Sequence, residues 1–193
     1  MRPTYPPLYV LRHGETEWNR DGRLQGHDDS PLTERGRQQA EAQNAILTRV
    51  LPPSATARVS DSGRARATAE IALRGLIDDP TPDPRLREAH LGVWQGLTVG
   101  EVTAGWGFLT ADRDPFDWKF DAPGGESLQG FAARIADVLG ALTGPTVIVT
   151  HGLTSRVLRC LALGRPATDL GALPGGQGVV HHVAEGQAQV LGP

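Results

Sequence analysis

Arg12 and His13 close an apolar run, Leu8-Tyr9-Val10-Leu11, and lead into Gly14-Glu15-Thr16. Arg12 supplies a permanent positive charge on a planar fork of donors, suited to phosphate or carboxylate. His13 supplies a ring nitrogen that can attack, accept a proton or bind a metal. Gly14 allows a tight turn with nothing protruding over the imidazole. A second apolar run, Val147-Ile148-Val149-Thr150, finishes the same way, in His151-Gly152. Arg64 follows a polar loop, and Glu88 follows Leu86-Arg87. Together these residues suit a dianionic phosphate. Two guanidiniums neutralise it through paired hydrogen bonds, one imidazole attacks, another holds an equatorial oxygen, and a carboxylic acid protonates the leaving oxygen.

Other chemistries lack their residues. Cys160 and Arg165 are one residue short of a cysteine-phosphatase loop, and Cys160 lies in an apolar stretch. No D-x-D-x-T/V run supports an aspartyl phosphate, and no H-E-x-x-H motif supports zinc hydrolysis. His13, His151 and Glu88 could in principle gather around zinc, but Arg12 and Arg64 beside them oppose a cation. No metal or other cofactor is expected. Lys119 is the only lysine, which excludes a G-x-x-x-x-G-K phosphate loop and leaves one candidate for amine chemistry.

For these groups to meet, apolar strands must end at one edge of a sheet, where open α/β folds bind ligands. The first strand covers Leu8–Leu11, followed by a glycine-punctuated loop and a helix from Thr33, its N-cap, to about Val50. A short strand at 57–60 precedes a helix at about 65–77. Residues 86–94 read as a brief strand leading into a loop. A long amphipathic helix covers 126–142, a buried strand 145–150, a helix about 153–163, and two strands lie at 179–183 and 188–191. The alternation predicts an α/β fold, a single domain over residues 1–193 with a mostly parallel central sheet flanked by helices. Helix starts after Gly63 and Gly152 would add amide donors for an anion.

Residues 98–125 are the least regular and form a lid-like insertion. They hold Trp106, Phe108, Phe116, Trp118 and Phe120, half of the chain's ten aromatic residues. A satellite core under a long loop and a lid over the leaving group both remain open.

The residues carry a resemblance. Leu11-Arg12-His13-Gly14-Glu15-Thr16-Glu17-Trp18-Asn19 resembles the signature of the histidine phosphatase superfamily, phosphoglycerate mutase-like branch. In order along the chain follow Gln25-Gly26 with Asp29 and Pro31-Leu32-Thr33; Ser60-Asp61 with Arg64-Ala65 and Thr68-Ala69; Leu86 with Glu88, Gly92 and Trp94; Pro123 to Ser127; and Val149 to Gly152. The resemblance implies that His13 attacks phosphorus to form a phosphohistidine. Arg12, Arg64 and His151 would bind the transferring group, and Glu88 would act as acid and then base. It places Asn19, Gln25, Gly26 and Gly152 at the phosphate or its substituent. The departures are Gln95 where many relatives have glutamate, Ser62-Gly63 before Arg64, and Leu153 where a second glycine is common.

The expected function is phosphomonoesterase activity on a small-molecule phosphate ester. A phosphoglycerate mutase is the alternative within the enzyme class. A non-catalytic phosphate-binding module is the alternative outside it. The compact spacing between Glu88 and Gly124 favours hydrolysis over the mutase. His181 and His182 read as strand residues facing opposite sides, His27 and His90 as loop or surface residues, and Arg134 and Arg156 as helix-surface cations. Glu15 and Glu17 read as solvated or arginine-paired.

At 193 residues the chain can bury a substantial core, and its net charge of −3 argues against nucleic-acid binding through an overall field. A single cysteine, no basic-then-apolar leader and no apolar run of membrane-spanning length make a cytoplasmic protein without a membrane partner the expectation.

Overall fold

The computed structural model describes residues 5–107, 114 and 116–192. Phe108, one of the aromatic residues singled out above, lies outside them. Strand β1 (Leu8–Arg12) pairs in parallel with β4 (Thr146–Thr150), which pairs in parallel with β2 (Thr56–Val59), and β2 with β3 (Thr81–Pro82). On the other side of β1, strands β5 (Val180–Ala184) and β6 (Gln187–Leu191) run antiparallel, giving the order β3-β2-β4-β1-β5-β6. The expected mostly parallel sheet is therefore present.

The alternation of β1 and β4 divides the core in two. Leu8, Val10 and Ile148 face helices α5 (Leu128–Gly140) and α6 (Gly152–Ala162). Tyr9, Leu11, Val147 and Val149 face α2 (Glu34–Val50) and α3 (Gly63–Ala72). This is the period-two pattern of strands covered on both faces. Thr33 caps α2 as expected, its hydroxyl accepting from the Gly36 amide at 3.0 Å. Helix α3 stops at Ala72, short of the predicted 77, and Gly75 turns away with φ +71°.

Two expectations need correction. Residues 86–94 are not a strand but two 3-10 turns, Pro84–Leu86 and Gly92–Trp94. The carbonyls of residues 86–88 are met by side chains instead of a neighbouring strand. The Thr150 hydroxyl donates to the Leu86 carbonyl at 2.7 Å, and Arg134 donates to those of Arg87 and Glu88. The segment from residue 98 also has more regular structure than expected. Helix α4 (Val99–Trp106) starts in a reciprocal Thr98–Glu101 capping box, and a 3-10 turn covers Asp117–Asp121. A short helix α1 (Glu17–Arg20) is capped likewise by Thr16 and Asn19. Trp106 and Trp118 pack on the buried Trp94, and Phe120 packs on Phe131, so these aromatic residues join the core on the α5 and α6 side of the sheet. Among the described residues no helix is long and apolar enough to cross a membrane.

Candidate active site

Because β1 and β4 are parallel neighbours in register, Arg12 opposite Thr150, the next residue of each strand emerges beside the other. The His13 amide donates to the Thr150 carbonyl at 2.9 Å, and the His13 and His151 rings lie 5.2 Å apart. Gly14 is required here for a reason the sequence did not disclose. A Cβ on it would fall 2.2 Å from the Gly36 carbonyl oxygen, so the turn after His13 sits directly on the start of α2.

His13 Nδ1 lies 2.8 Å from the Gly14 carbonyl oxygen, an acceptor only, so that nitrogen carries the proton and Nε2 keeps a lone pair. Burial, reinforced by Arg64 and Arg12, holds its pKa well below 6.5. The imidazole is therefore neutral around pH 7. His151 is fully buried and held neutral by the same causes, burial first; its Nε2 lies 2.8 Å from Ser60 Oγ and 3.3 Å from Ser62 Oγ. Ser62, one of the departures from the family pattern, thus orients the second histidine.

Arg64 donates through Nη1 to the Asp28 carbonyl and the Asp29 carboxylate and through Nη2 to the Gly26 carbonyl. Gly63 accommodates this arrangement, since a Cβ there would lie 2.2 Å from Asp29 Oδ2. The Nε atoms of Arg12 and Arg64 are buried with no acceptor among the described residues. Glu88 stands at the start of α6, its carboxylate accepting from the Leu153 amide at 3.0 Å and from the Thr154 amide and hydroxyl, each at 3.1 Å. This corrects the expectation about helix starts. The amides of Leu153, Thr154 and Arg64 are taken by carboxylates of Glu88 and Asp29.

A cavity of about 140 Å³ is lined by Arg12, His13, Asn19, Gln25, Gly26, Arg64, Glu88 and Gly152. Of the residues expected at the site, His151 alone is outside this lining, standing behind His13 on the Ser60 side. Asn19 Oδ1 accepts from Gln177, which also donates to the His13 carbonyl, and Gln25 donates to Thr16 Oγ1. Gln95, another departure, uses both ends of its amide: its oxygen accepts from the His27 and Leu91 amides while its nitrogen donates to Asp28. Only an amide can do both beside a carboxylate.

The cavity also holds Arg23, Phe116, Lys119 and Arg156, which were not anticipated at the site. Arg156 is not a surface cation. Its guanidinium lies 4.0 Å over the Phe116 ring, with Lys119 Nζ 5.4 Å from the same ring. Burial lowers the pKa of both, and Glu88 partly offsets this for Lys119. The available signal was a lone lysine among aromatic residues, in a segment whose path the sequence did not define. Arg134 is likewise no free surface cation, being bonded to Glu126 and to the loop before His90. His27 and His90 pack edge to face at 4.9 Å outside the cavity. His181 and His182 face opposite sides as expected, one against Arg159 and the other on Tyr9. Among the described residues no group of three or more His, Cys, Asp and Glu side chains could hold a metal ion.

Residues 8–189 match the histidine phosphatase superfamily (branch 1). The chain belongs to that superfamily. This superfamily member is 35% identical over 173 residues to the probable phosphoglycerate mutase GpmB of Cronobacter sakazakii, covering 83% of this chain and 76% of that one. Among solved structures it resembles mycobacterial glucosyl-3-phosphoglycerate phosphatase Rv2419c, determined in complex with VO3. That pair is 33% identical with a TM-score of 0.78, over 97% of this chain and 98% of the other. It also resembles TTHB049 from Thermus thermophilus, 37% identical with a TM-score of 0.70 over 96% of each chain.

Proposed function

We propose that this histidine phosphatase superfamily member hydrolyses a small phosphate monoester through a phosphohistidine at His13. The observation that carries the reading is the neutral, tautomer-fixed His13 in one cavity with two guanidiniums whose buried Nε atoms have no acceptor among the described residues. Nε2 attacks phosphorus with its lone pair, the ester P–O bond breaks, and Glu88 gives its proton to the departing oxygen. Glu88, now a carboxylate, takes a proton from water as that water attacks the phosphohistidine. The P–N bond breaks, inorganic phosphate leaves and His13 returns to its starting state. Arg12 and Arg64 stabilise the equatorial oxygens, where charge concentrates in the transition state, and His151 adds to them from behind His13 through its buried Nδ1, which has no partner among the described residues. Asn19, Gln25, Gly26 and Gly152 shape the phosphate end of the cavity.

At about 140 Å³ the cavity is smaller than the ~300–1,000 Å³ of drug-sized sites, which favours a substrate of few atoms. Arg23, Lys119 and Arg156 add more positive charge than one dianion needs, which favours an ester with a second acidic group. The solved phosphatase determined with VO3, a vanadium oxyanion, supports the same reading. The curated relative named as a phosphoglycerate mutase favours isomerisation as the second reading. Incubation with 3-phosphoglycerate separates the two. Release of inorganic phosphate, abolished in His13→Ala, is the expected result, and isomer formation without release would establish the mutase. A wild-type rate on an aryl phosphate equal to that of His13→Ala would leave only a non-catalytic phosphate-binding module.

A further inference from the structure

The Pro123–Ser127 block has no role in the chemistry above, yet its chain is seated on the loop that carries Glu88. A Cβ on Gly92 would fall 2.0 Å from the Pro123 carbonyl oxygen, and one on Gly125 would fall 2.9 Å from that of His90. The Glu126 amide donates to the His90 carbonyl at 2.8 Å. From α5, Arg134 completes the contact. Its Nε and Nη2 grip the two Glu126 oxygens at 2.8 and 2.9 Å. Its Nη1 donates to the carbonyls of Arg85 and Arg87, and Nη2 to that of Glu88 at 3.0 Å. The Phe131 ring lies 4.5 Å from the guanidinium carbon and supports its plane.

We propose that the Arg134–Glu126 pair is a clamp that positions Glu88 for proton transfer, an inference that rests on Glu88 being the acid and base of the reaction. Glu88 is held at two ends. Its carboxylate is fixed by the amides that open α6 and its backbone carbonyl by Arg134 of α5. Three carbonyls turned toward one guanidinium set the direction in which the Glu88 side chain leaves the chain. A planar fork can serve those acceptors and a carboxylate together, which an ammonium group cannot. Without the backbone anchor the carboxyl group loses its register with the leaving oxygen, and a misplacement of about 1 Å costs on the order of 10²-fold in rate. Arg134 lies outside the cavity lining and acts through Glu88.

The test is kcat/KM for a 4-nitrophenyl phosphate, whose leaving group needs no proton, against an alkyl phosphate, whose leaving group does. The variants are Arg134→Met, Glu126→Gln, Glu88→Gln and the double variant Arg134→Met/Glu88→Gln. We expect Arg134→Met and Glu126→Gln to lose about 10²-fold on the alkyl ester and much less on the nitrophenyl ester. In the Glu88→Gln background, Arg134→Met should add little further loss, because a positioning residue has nothing left to position. Should Arg134→Met fail to fold, Glu126→Gln, which keeps the side chain's size, carries the same measurement. Equal losses on both esters, or losses that multiply in the double variant, would overturn the clamp while selective damage in Glu88→Gln left the proposed reaction standing. No leaving-group selectivity in Glu88→Gln would remove the acid role and the clamp with it.

Discussion

Arg64 turns two of its three nitrogens back into the protein, toward Asp28, Asp29 and Gly26, and leaves its buried Nε for the site. Its position is therefore set before substrate arrives, which is what makes a donor effective on a transition state. Arg64→Ala should lower kcat/KM by 10²-fold or more, on the order of 3 kcal/mol, and Arg64→Lys should not restore it, since an ammonium group lacks the fork. Activity within a few-fold of wild type would contradict the pocket. His13 offers a direct check by NMR titration. Burial beside two arginines keeps its pKa well below 6.5, so at that pH its imidazole should remain neutral. A titration midpoint near 6.5 would show a histidine in ordinary surroundings. Lys119→Met should reduce turnover of phosphate esters that carry a carboxylate more than turnover of their uncharged analogues, measured as a ratio of kcat/KM values. An unchanged ratio would remove Lys119 from substrate recognition.

The elements explain why parts of the site were legible and parts were not. Two apolar runs ending in histidine pointed to a shared sheet edge, and β1 and β4 supply it in register. Thr33 and the spacing of apolar residues placed α2 and α5 to within a few residues. Around Glu88 four apolar residues, Leu86, Ala89, Leu91 and Trp94, are buried at a spacing that does not alternate, so the segment packs into the core without forming the expected strand. Local pattern could not show that an arginine on a distant helix would satisfy the carbonyls there. The same limit hid Lys119 and Arg156, which come from different segments and meet at the Phe116 ring in the cavity. Close backbone approach is equally invisible in sequence. Gly14 was read as room for the imidazole, but its chief constraint is the Gly36 carbonyl. Gly14→Ala should therefore destabilise the fold by about 1–3 kcal/mol through overpacking and should lower activity by moving His13. Urea unfolding with a midpoint equal to that of wild type would refute the contact.

For the whole molecule, the buried imidazoles tie stability to pH. Burial lowers the pKa of His13, His151 and His181, the last to about 4, whereas unfolding returns each to about 6.5. Below pH 6.5 the unfolded chain binds protons that the folded chain refuses, so stability falls as pH drops. For His181 alone the contribution present above pH 6.5 and lost near pH 4 is about 3 kcal/mol. The lowered carboxylates of Asp61 and Asp83 start below the ordinary carboxylate range, so their loss comes at still lower pH. The thermal midpoint should fall steadily from pH 7 to pH 5, and a midpoint that held or rose across that interval would contradict the burial of these rings. The architecture and superfamily were readable from ordered motifs spread over nearly the whole chain, since the motifs mark where strands end. The substrate was not, because Arg23, Lys119 and Arg156 come from three separate segments that only the fold brings to one cavity.

The central claim is a covalent bond between His13 and phosphorus. Mixing the enzyme with a phosphate ester, quenching in alkali within a turnover and locating the phosphoryl group by peptide mass spectrometry tests it most directly. The account predicts modification of the peptide at His13 and none in His13→Ala. A phosphoryl group on any other residue, or sustained turnover by His13→Ala, would contradict it.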